Sequence, residues 1–453
     1  MRVRSTANYI YMDETKFQHK LMNAMFDRDL LEKIRVKFPR AVTDLNGRKR
    51  AFFDNGTGTL VVAIAGRAEA EARFDCSANV GADFDESKRA GTAILDGRKA
   101  IADLLNAPSA DTIVSGESAT ALLFNLSYAI GRELTGKENV VTSDYEHYAN
   151  ISPWQELQKR RRIKEVRFAR LKKDEGTLDM DHLQGLIDKK TKVVTVTAAS
   201  NVLGTKSPLK KIGKMVKEVN AYFVIDAVHH IAHGSIDVKD LDCDFLVFSG
   251  YKFFSSHGSF LYGKEDNLNT LKPYKVASAP DHAPYNWEWG TRDQSKFAAV
   301  HGVTNHLVWL ADQVQNHYER YFTDYSGRKR SLKVAMDAVE RYEMELSRAV
   351  LDGVDGFKGL VDLPKVKIYG LADLNRLGER DPTFAFKIED KPDEDIIGRL
   401  WTDGGIATRA EDFYSRAVES YDQQTMIRIS LVHYNTLQEI AVFLKTLSKI
   451  CKS

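Results

Sequence analysis

The 453-residue chain is too long for one compact core and predicts two domains or so. Its 43% apolar and 28% charged content is ordinary for an enzyme-sized soluble protein, and no apolar run approaches the roughly 20 residues of a membrane helix. A formal net charge of +2 gives no electrostatic reason to expect nucleic acid or an anionic membrane as partner. The three cysteines, Cys76, Cys243 and Cys451, lack metal-type spacing and argue against a disulfide framework. The opening MRVRSTANYIYMDETKF has no signal-peptide pattern, so the expected location is cytoplasmic.

Two amphipathic runs, around Phe17 to Phe26 and Leu30 to Phe38, predict that residues 1–50 form a helical segment docked on a larger body. AFFDNGTGTL follows, a short apolar strand with a turn at Asp54, Asn55, Gly56 and Gly58. Without a third glycine and a strand-to-helix unit, it falls short of a dinucleotide fingerprint. Ser87 to Leu105 carries helical spacing.

From Asp111 the pattern is α/β. DTIVSG reads as a strand and ESATALLFNLSYAIGREL as the helix after it. The turn Gly116-Glu117-Ser118-Ala119-Thr120 would present free N–H groups and a positive dipole end to a phosphate, although simple N-capping by Ser118 fits the same residues. Three further strand-like runs follow (NVVTSDYEHY, KEVRFAR, TKVVTVTAASNVLG). Helical segments at 151–161, 181–189 and 209–220 alternate with them, which favours a parallel, doubly wound sheet with its site at the carboxyl ends of the strands. Residues 293–353 read as mainly helical with a break near Tyr325-Ser326-Gly327. The remainder holds strand-like KVKIYG, TFAFKIE and MIRISLVHY, with helices at 393–401 and 436–447. The division expected is a large domain over 51–320 and a small α+β domain over 321–453, with the N-terminal segment packed on the small one.

One stretch orders the rest: residues 226–263, DAVHHIAHGSIDVKDLDCDFLVFSGYKFFSSHGSFLYG. Asp226 ends the apolar run YFVID, and Lys252 lies just beyond DFLVFSG. Desolvation there lowers an amine pKa and makes a lysine a useful Schiff-base nucleophile. Asp226 could hold a protonated pyridine nitrogen, and the pair points to pyridoxal phosphate (PLP). His147 and Asn201 also fall at the ends of strand-like runs.

EHYANISPW, SNVLGT, DAVHHIAHGSIDV, DCDFLVFSGYK, WEWGT and RISLVHYNT, in that order, resemble the motifs of class V aminotransferases of the cysteine desulfurase type, across about residues 50–445. The resemblance implies a fold-type I PLP enzyme, usually a homodimer, acting on a small amino acid. It implies that Lys252 carries the cofactor, Asp226 faces the pyridine nitrogen, His147 stacks on the ring, and Asn201 contacts ring and substrate. Gly116, Ser118, Ser249 and the backbone near Glu117 resemble the phosphate cup, with Thr291 reaching the neighbouring subunit's phosphate. Arg428 matches the arginine that binds the substrate carboxylate, and alternation between Ile427 and Ile429 points it to the opposite face from them. Arg409 is a second candidate for substrate.

Departures bear on the chemistry. His229 stands where the family commonly has glutamine, and Tyr251 where it has histidine; both can still donate a hydrogen bond. Glu117 puts an acid beside the presumed phosphate, tolerable if it points away. The segment GGIATRAEDFYSRAV has Tyr414 near the position of the sulfur-accepting cysteine, and no cysteine lies between 244 and 450. These departures favour transamination or β-elimination, including C–S cleavage, over a true cysteine desulfurase or an epimerase. A non-catalytic scaffold is disfavoured because Lys252, Asp226, His147, Asn201 and Arg428 occur together. No metal is expected: His229 and His230 are adjacent and would face opposite ways on a strand, and His233 alone does not complete a site.

Overall fold

The structure is a computed structural model that describes residues 25–453. The expectation of a helix around Phe17 to Phe26 lies mostly outside them. Within them, helix α1 (Arg28–Val36) is capped by Asp27, whose side chain accepts from the Leu30 N–H at 2.8 Å. Its apolar stripe, Leu30, Leu31 and Ile34, is buried. Helices α2 (Ala63–Asp75) and α3 (Asp85–Leu105) follow.

The large sheet is built from β1 (Ile113–Gly116), β2 (Asn139–Ser143), β3 (Glu165–Ala169), β4 (Thr191–Thr197), β5 (Tyr222–Asp226), β6 (Phe245–Ser249) and β7 (Ser259–Gly263). Their spatial order is β1-β7-β6-β5-β4-β2-β3. Every pairing is parallel except those of β7, which runs antiparallel to both β1 and β6. Between strands lie α4 (Ala119–Gly131), α5 (Ser152–Lys159), α6 (Met180–Leu186) and α7 (Leu209–Glu218).

Alternating strand residues feed two apolar layers, as expected for a sheet covered on both faces. Val114, Val140, Val193, Val224 and Val247 pack with Leu122, Leu126 and Trp154 of α4 and α5. Ile113, Val141, Val194, Ile225 and Leu246 join the other layer, which includes Ile101 and Leu105 of α3. That layer also takes in α8 (Gln294–Val314) and α9 (Gly327–Asp352).

The second sheet is antiparallel: β8 (Val366–Tyr369), β9 (Thr383–Ile388), β10 (Arg409–Glu411) and β11 (Met426–Ser430), in the order β8-β9-β11-β10. Helix α10 (Asp393–Gly404), the short α11 (Arg416–Ser420) and α12 (Leu437–Lys452) complete this part. A capping box of Thr436 and Glu439 starts α12. Glu439 also pairs with Arg35 of α1 at 2.8 Å, and Arg35 donates to the Tyr434 carbonyl at 2.7 Å. The described end of the N-terminal segment is thereby fastened to α12.

Among the described residues, no helix is long and apolar enough to cross a membrane.

Candidate active site

The carboxyl ends of the parallel strands carry the expected side chains. Asp226 is the last residue of β5, paired in register with Val247 of β6. The chain leaves β6 at Ser249, makes one tight turn over Gly250–Lys252, and so delivers Lys252 beside Asp226. Burial pulls the Lys252 amine down to about 7, with the Arg428 cation adding to the effect; Asp54 and then Asp226 oppose it. Burial likewise pushes the Asp226 carboxyl up to about 6, against the Val228 N–H, which donates to it at 2.9 Å, and against Lys252. Lys252 Nζ donates to the Gly56 carbonyl.

His147 follows β2. Its Nδ1 accepts from the Ala149 N–H at 3.0 Å, which fixes the ring and assigns that nitrogen as the unprotonated one. Burial, Lys252 and Arg428 hold the imidazole down to about 4, so it is neutral. Asn201, after β4, donates from Nδ2 to the Phe413 carbonyl at 3.1 Å, while its buried Oδ1 has no partner among the described residues.

Arg428 lies on β11 and is 1% exposed. Its Nη1 donates to the Asn201 carbonyl at 2.8 Å and its Nη2 to Thr57 Oγ1 at 2.6 Å, with Asp54 at 3.5 Å. The guanidinium lies over the Phe413 ring at 3.9 Å. Its Nε is buried and without a partner among the described residues. Gly56 makes this placement possible, because a Cβ there would stand 2.8 Å from Arg428 Cζ. Arg409 pairs with Asp54 at 2.7 Å, so one carboxylate spans both arginines.

At the presumed phosphate turn, Ser118 caps α4, its Oγ accepting from the Ala121 N–H at 3.1 Å. Ser249 and Ser259 share a hydrogen bond of 2.7 Å. Glu117 accepts from Lys296 Nζ, 2.9 Å from each carboxylate oxygen. Tyr251 stacks on His257 with ring centres 5.2 Å apart. Thr291 is exposed and lines a cleft with Gly116 and Glu117 of its own chain. Trp287 belongs to the core, donating to the Leu268 carbonyl at 2.8 Å, whereas Trp289 is exposed.

One expectation requires revision. His229 and His230 lie in a turn and a 3-10 segment after β5, so the opposed-faces argument drawn from a strand does not describe them. One ligand-type atom each of His229, His233 and Asp381 lies within 4.8 Å of the others. Each already has a protein partner: Thr383 Oγ1 lies 3.1 Å from His229 Nε2, Glu343 lies 2.8 Å from His233 Nδ1, and His230 lies 3.0 Å from Asp381. His229 thus turns its Nε2 to β9, held well below its ordinary pKa by burial.

Several residues escaped sequence reading. Asp54 and Phe413 build the arginine pocket from distant segments. The buried Glu146, pushed up to about 8 by desolvation, is held by Asn150 at 2.7 Å beside His147. Glu288 receives both nitrogen–oxygen bonds of Arg98 at 2.7 Å and two from Ser115 at 2.9 and 2.6 Å. An acid following tryptophan in WEWGT was the only signal available for it.

The loop with Tyr414 is pinned. Tyr414 accepts from the Tyr148 N–H at 2.8 Å, and Arg416 pairs with Asp144 at 2.7 Å. Phe413 and Tyr414 both hold positive φ, 55° and 48°.

These residues fit pyridoxal phosphate. An amine whose pKa is lowered to about 7, a carboxylate on the adjacent strand, a neutral imidazole, and the two orphaned polar atoms Asn201 Oδ1 and Arg428 Nε together offer what the group and an amino-acid carboxylate require.

A sheet of this order with an antiparallel second sheet is the fold-type I architecture. The chain superposes on the cysteine desulfurase CsdA of Escherichia coli with a TM-score of 0.77, at 21% identity over 93% of this chain and 98% of that one. An apo cysteine desulfurase of Thermococcus onnurineus NA1 gives 0.77 at 23% identity with the same coverage. The aminotransferase class-V family model matches residues 51–321, and the chain belongs to that family of PLP-dependent enzymes. Its curated relatives include a cysteine desulfurase of Pectobacterium carotovorum subsp. carotovorum, 29% identical over 436 residues, 93% of this chain and 98% of the relative. Another is the aminotransferase-like protein FGM3 of Gibberella zeae, 27% identical over 421 residues, 90% and 96% of the two chains.

Proposed function

We propose that the protein binds PLP at Lys252 and acts at the α-carbon of a small amino acid, ending in transamination or β-elimination of the C–S lyase type. The observation that carries this reading is the Lys252–Asp226 pair at the ends of adjacent strands, with Arg428 near enough to lower the Lys252 amine. When bound, PLP supplies the electron sink for a carbanion next to an amino group.

The residues divide the work as follows. Lys252 Nζ, neutral above about pH 7, would hold the cofactor and, once the substrate's amine has displaced and freed it, would take the α-proton as general base. Asp226, ionised above about pH 6, keeps the pyridine nitrogen protonated. His147, positioned by its bond from Ala149, would stack on the cofactor ring. Arg428 donates its free Nε–H to the substrate carboxylate, with Asn201 beside it and Phe413 excluding water behind it. Gly116, Ser118 and Ser249 would receive the phosphate, Tyr251 and His229 would flank the cofactor, and in a homodimer Thr291 would reach the neighbouring site. Arg409 supports Asp54 and lies within reach of a second acidic group on the substrate.

Cysteine desulfuration is the second reading, favoured by the names of the relatives. Against it stands the absence of cysteine between 244 and 450, with Tyr414 in the loop where a thiol would accept sulfur. The test is a panel of amino acids scored by product. A keto acid with pyridoxamine phosphate indicates a transaminase; pyruvate, ammonia and sulfide indicate a lyase. Alanine with protein-bound persulfide from L-cysteine would overturn the preference.

A further inference from the structure

Resting on that reading of the chain as a PLP enzyme, we infer that Lys296 is the cationic partner of the cofactor phosphate, with Glu117 holding its place until the phosphate arrives. Sheet register defines the location. Gly116 of β1 pairs with Ser259 of β7, and Ser259 pairs with Ser249 of β6, so two presumed phosphate-cup positions, Gly116 and Ser249, lie in one row on either side of Ser259. Gly258, next to that row, has φ +126°, and its missing Cβ leaves room for the Lys296 stem: a Cβ there would lie 2.8 Å from Lys296 Cδ. From that seat the ammonium reaches Glu117, the residue after Gly116, at 2.9 Å. Lys296 therefore runs alongside the row from Gly258, beside its middle, to Glu117, beside its Gly116 end.

The charges ask for such a cation. A phosphate monoester carries close to two negative charges at neutral pH, and Glu117 would add a third. Tyr251, before Lys252, brings none in return. Arg292 faces Glu288 at 3.5 Å, an acid it shares with Arg98. Lys296 also stands in the first turn of α8, where the helix dipole disfavours a cation, so an anion in front of it relieves an unfavourable placement. The two partners are held unequally. The Lys296 side chain is 18% exposed, whereas that of Glu117 is 86% exposed, and so loosely held an acid yields its place at little cost.

The experiment titrates the full-length protein, stripped of cofactor, with PLP and separately with pyridoxal, which lacks the phosphate. Binding is followed by absorbance, and the bound phosphate by phosphorus NMR. Lys296→Ala is expected to weaken PLP roughly tenfold to a hundredfold while leaving pyridoxal unchanged, and to move the phosphorus resonance. Lys296→Arg should recover most of the affinity, and Glu117→Gln should tighten PLP. Equal PLP affinity in wild type and Lys296→Ala, or an equal loss for both ligands, would overturn the inference. A wild-type protein that binds neither ligand defeats the PLP reading itself, a result distinct from either of these.

Discussion

Lys252 and Asp226 stand at the ends of neighbouring parallel strands, and each stabilises the charged form of the other against the burial that disfavours both. Burial wins for each group. The amine comes down to about 7 and the carboxyl up to about 6, so both are charged only in the narrow interval between, and above it a neutral lysine stands beside a charged aspartate.

The rate at which stripped protein captures PLP should follow the neutral fraction of Lys252. It should rise about tenfold per pH unit below the amine's pKa and level off above it, because the unprotonated amine is the nucleophile. Asp226 raises the lysine's pKa, so Asp226→Asn should move the midpoint to lower pH. Stopped-flow absorbance across pH 5 to 9 checks both. A midpoint near the ordinary lysine value would contradict the enclosure of the amine.

Glu146 yields a stability prediction with a definite sign. Its carboxyl, raised to about 8 by desolvation, stays protonated in the fold while the unfolded chain ionises near 4.5. The stability tied to that proton is full below pH 4.5 and lost as pH rises through about 8. Glu146→Gln, which cannot ionise, should therefore gain on wild type in thermal melts as pH goes from 5 to 8.

Much of the fold was legible because both periodicities are strong. Runs such as TKVVTVT and YFVID are apolar on both faces, and helix segments such as Leu209–Glu218 carry a clear stripe, so alternation of strands and helices could be read directly. The antiparallel direction of β7 could not, since SFLYG looks the same in either orientation. The three-residue β10 was too short to show a period. Lys252 and Asp226 announced themselves as charges at the ends of buried runs. Asp54, Gly56 and Phe413 did not: their parts come from tertiary contact with Arg428, hundreds of residues away for the first two. Glu117 was a conflict in the sequence, and its partner Lys296 lies 179 positions on, where no local pattern connects the two.

The Arg98–Glu288 pair is a fixed strut. Both side chains are under 5% exposed, and Glu288 also ties Ser115 to the WEWGT segment. Glu288→Ala would leave a buried guanidinium unpaired, and the expected loss is about 3–5 kcal/mol in chemical denaturation. A change below about 1 kcal/mol would show that water reaches Arg98.

The arginine pocket can be disturbed from two sides. Arg428→Gln should weaken amino-acid binding about tenfold to a hundredfold, read as the shift of the cofactor band, while PLP itself still binds. Gly56→Ala should act in the same direction, because its methyl group would meet the packed guanidinium at 2.8 Å. An unchanged KM in both variants would move the carboxylate site elsewhere, with Arg409 the next candidate.

The most direct test of the account is the covalent partner of the cofactor. Purified protein incubated with PLP should develop a visible absorbance band. Borohydride reduction followed by peptide mass spectrometry should place the pyridoxyl group on Lys252, and Lys252→Ala should show neither band nor adduct. A colourless reconstituted wild type, or an adduct on any other lysine, would contradict it.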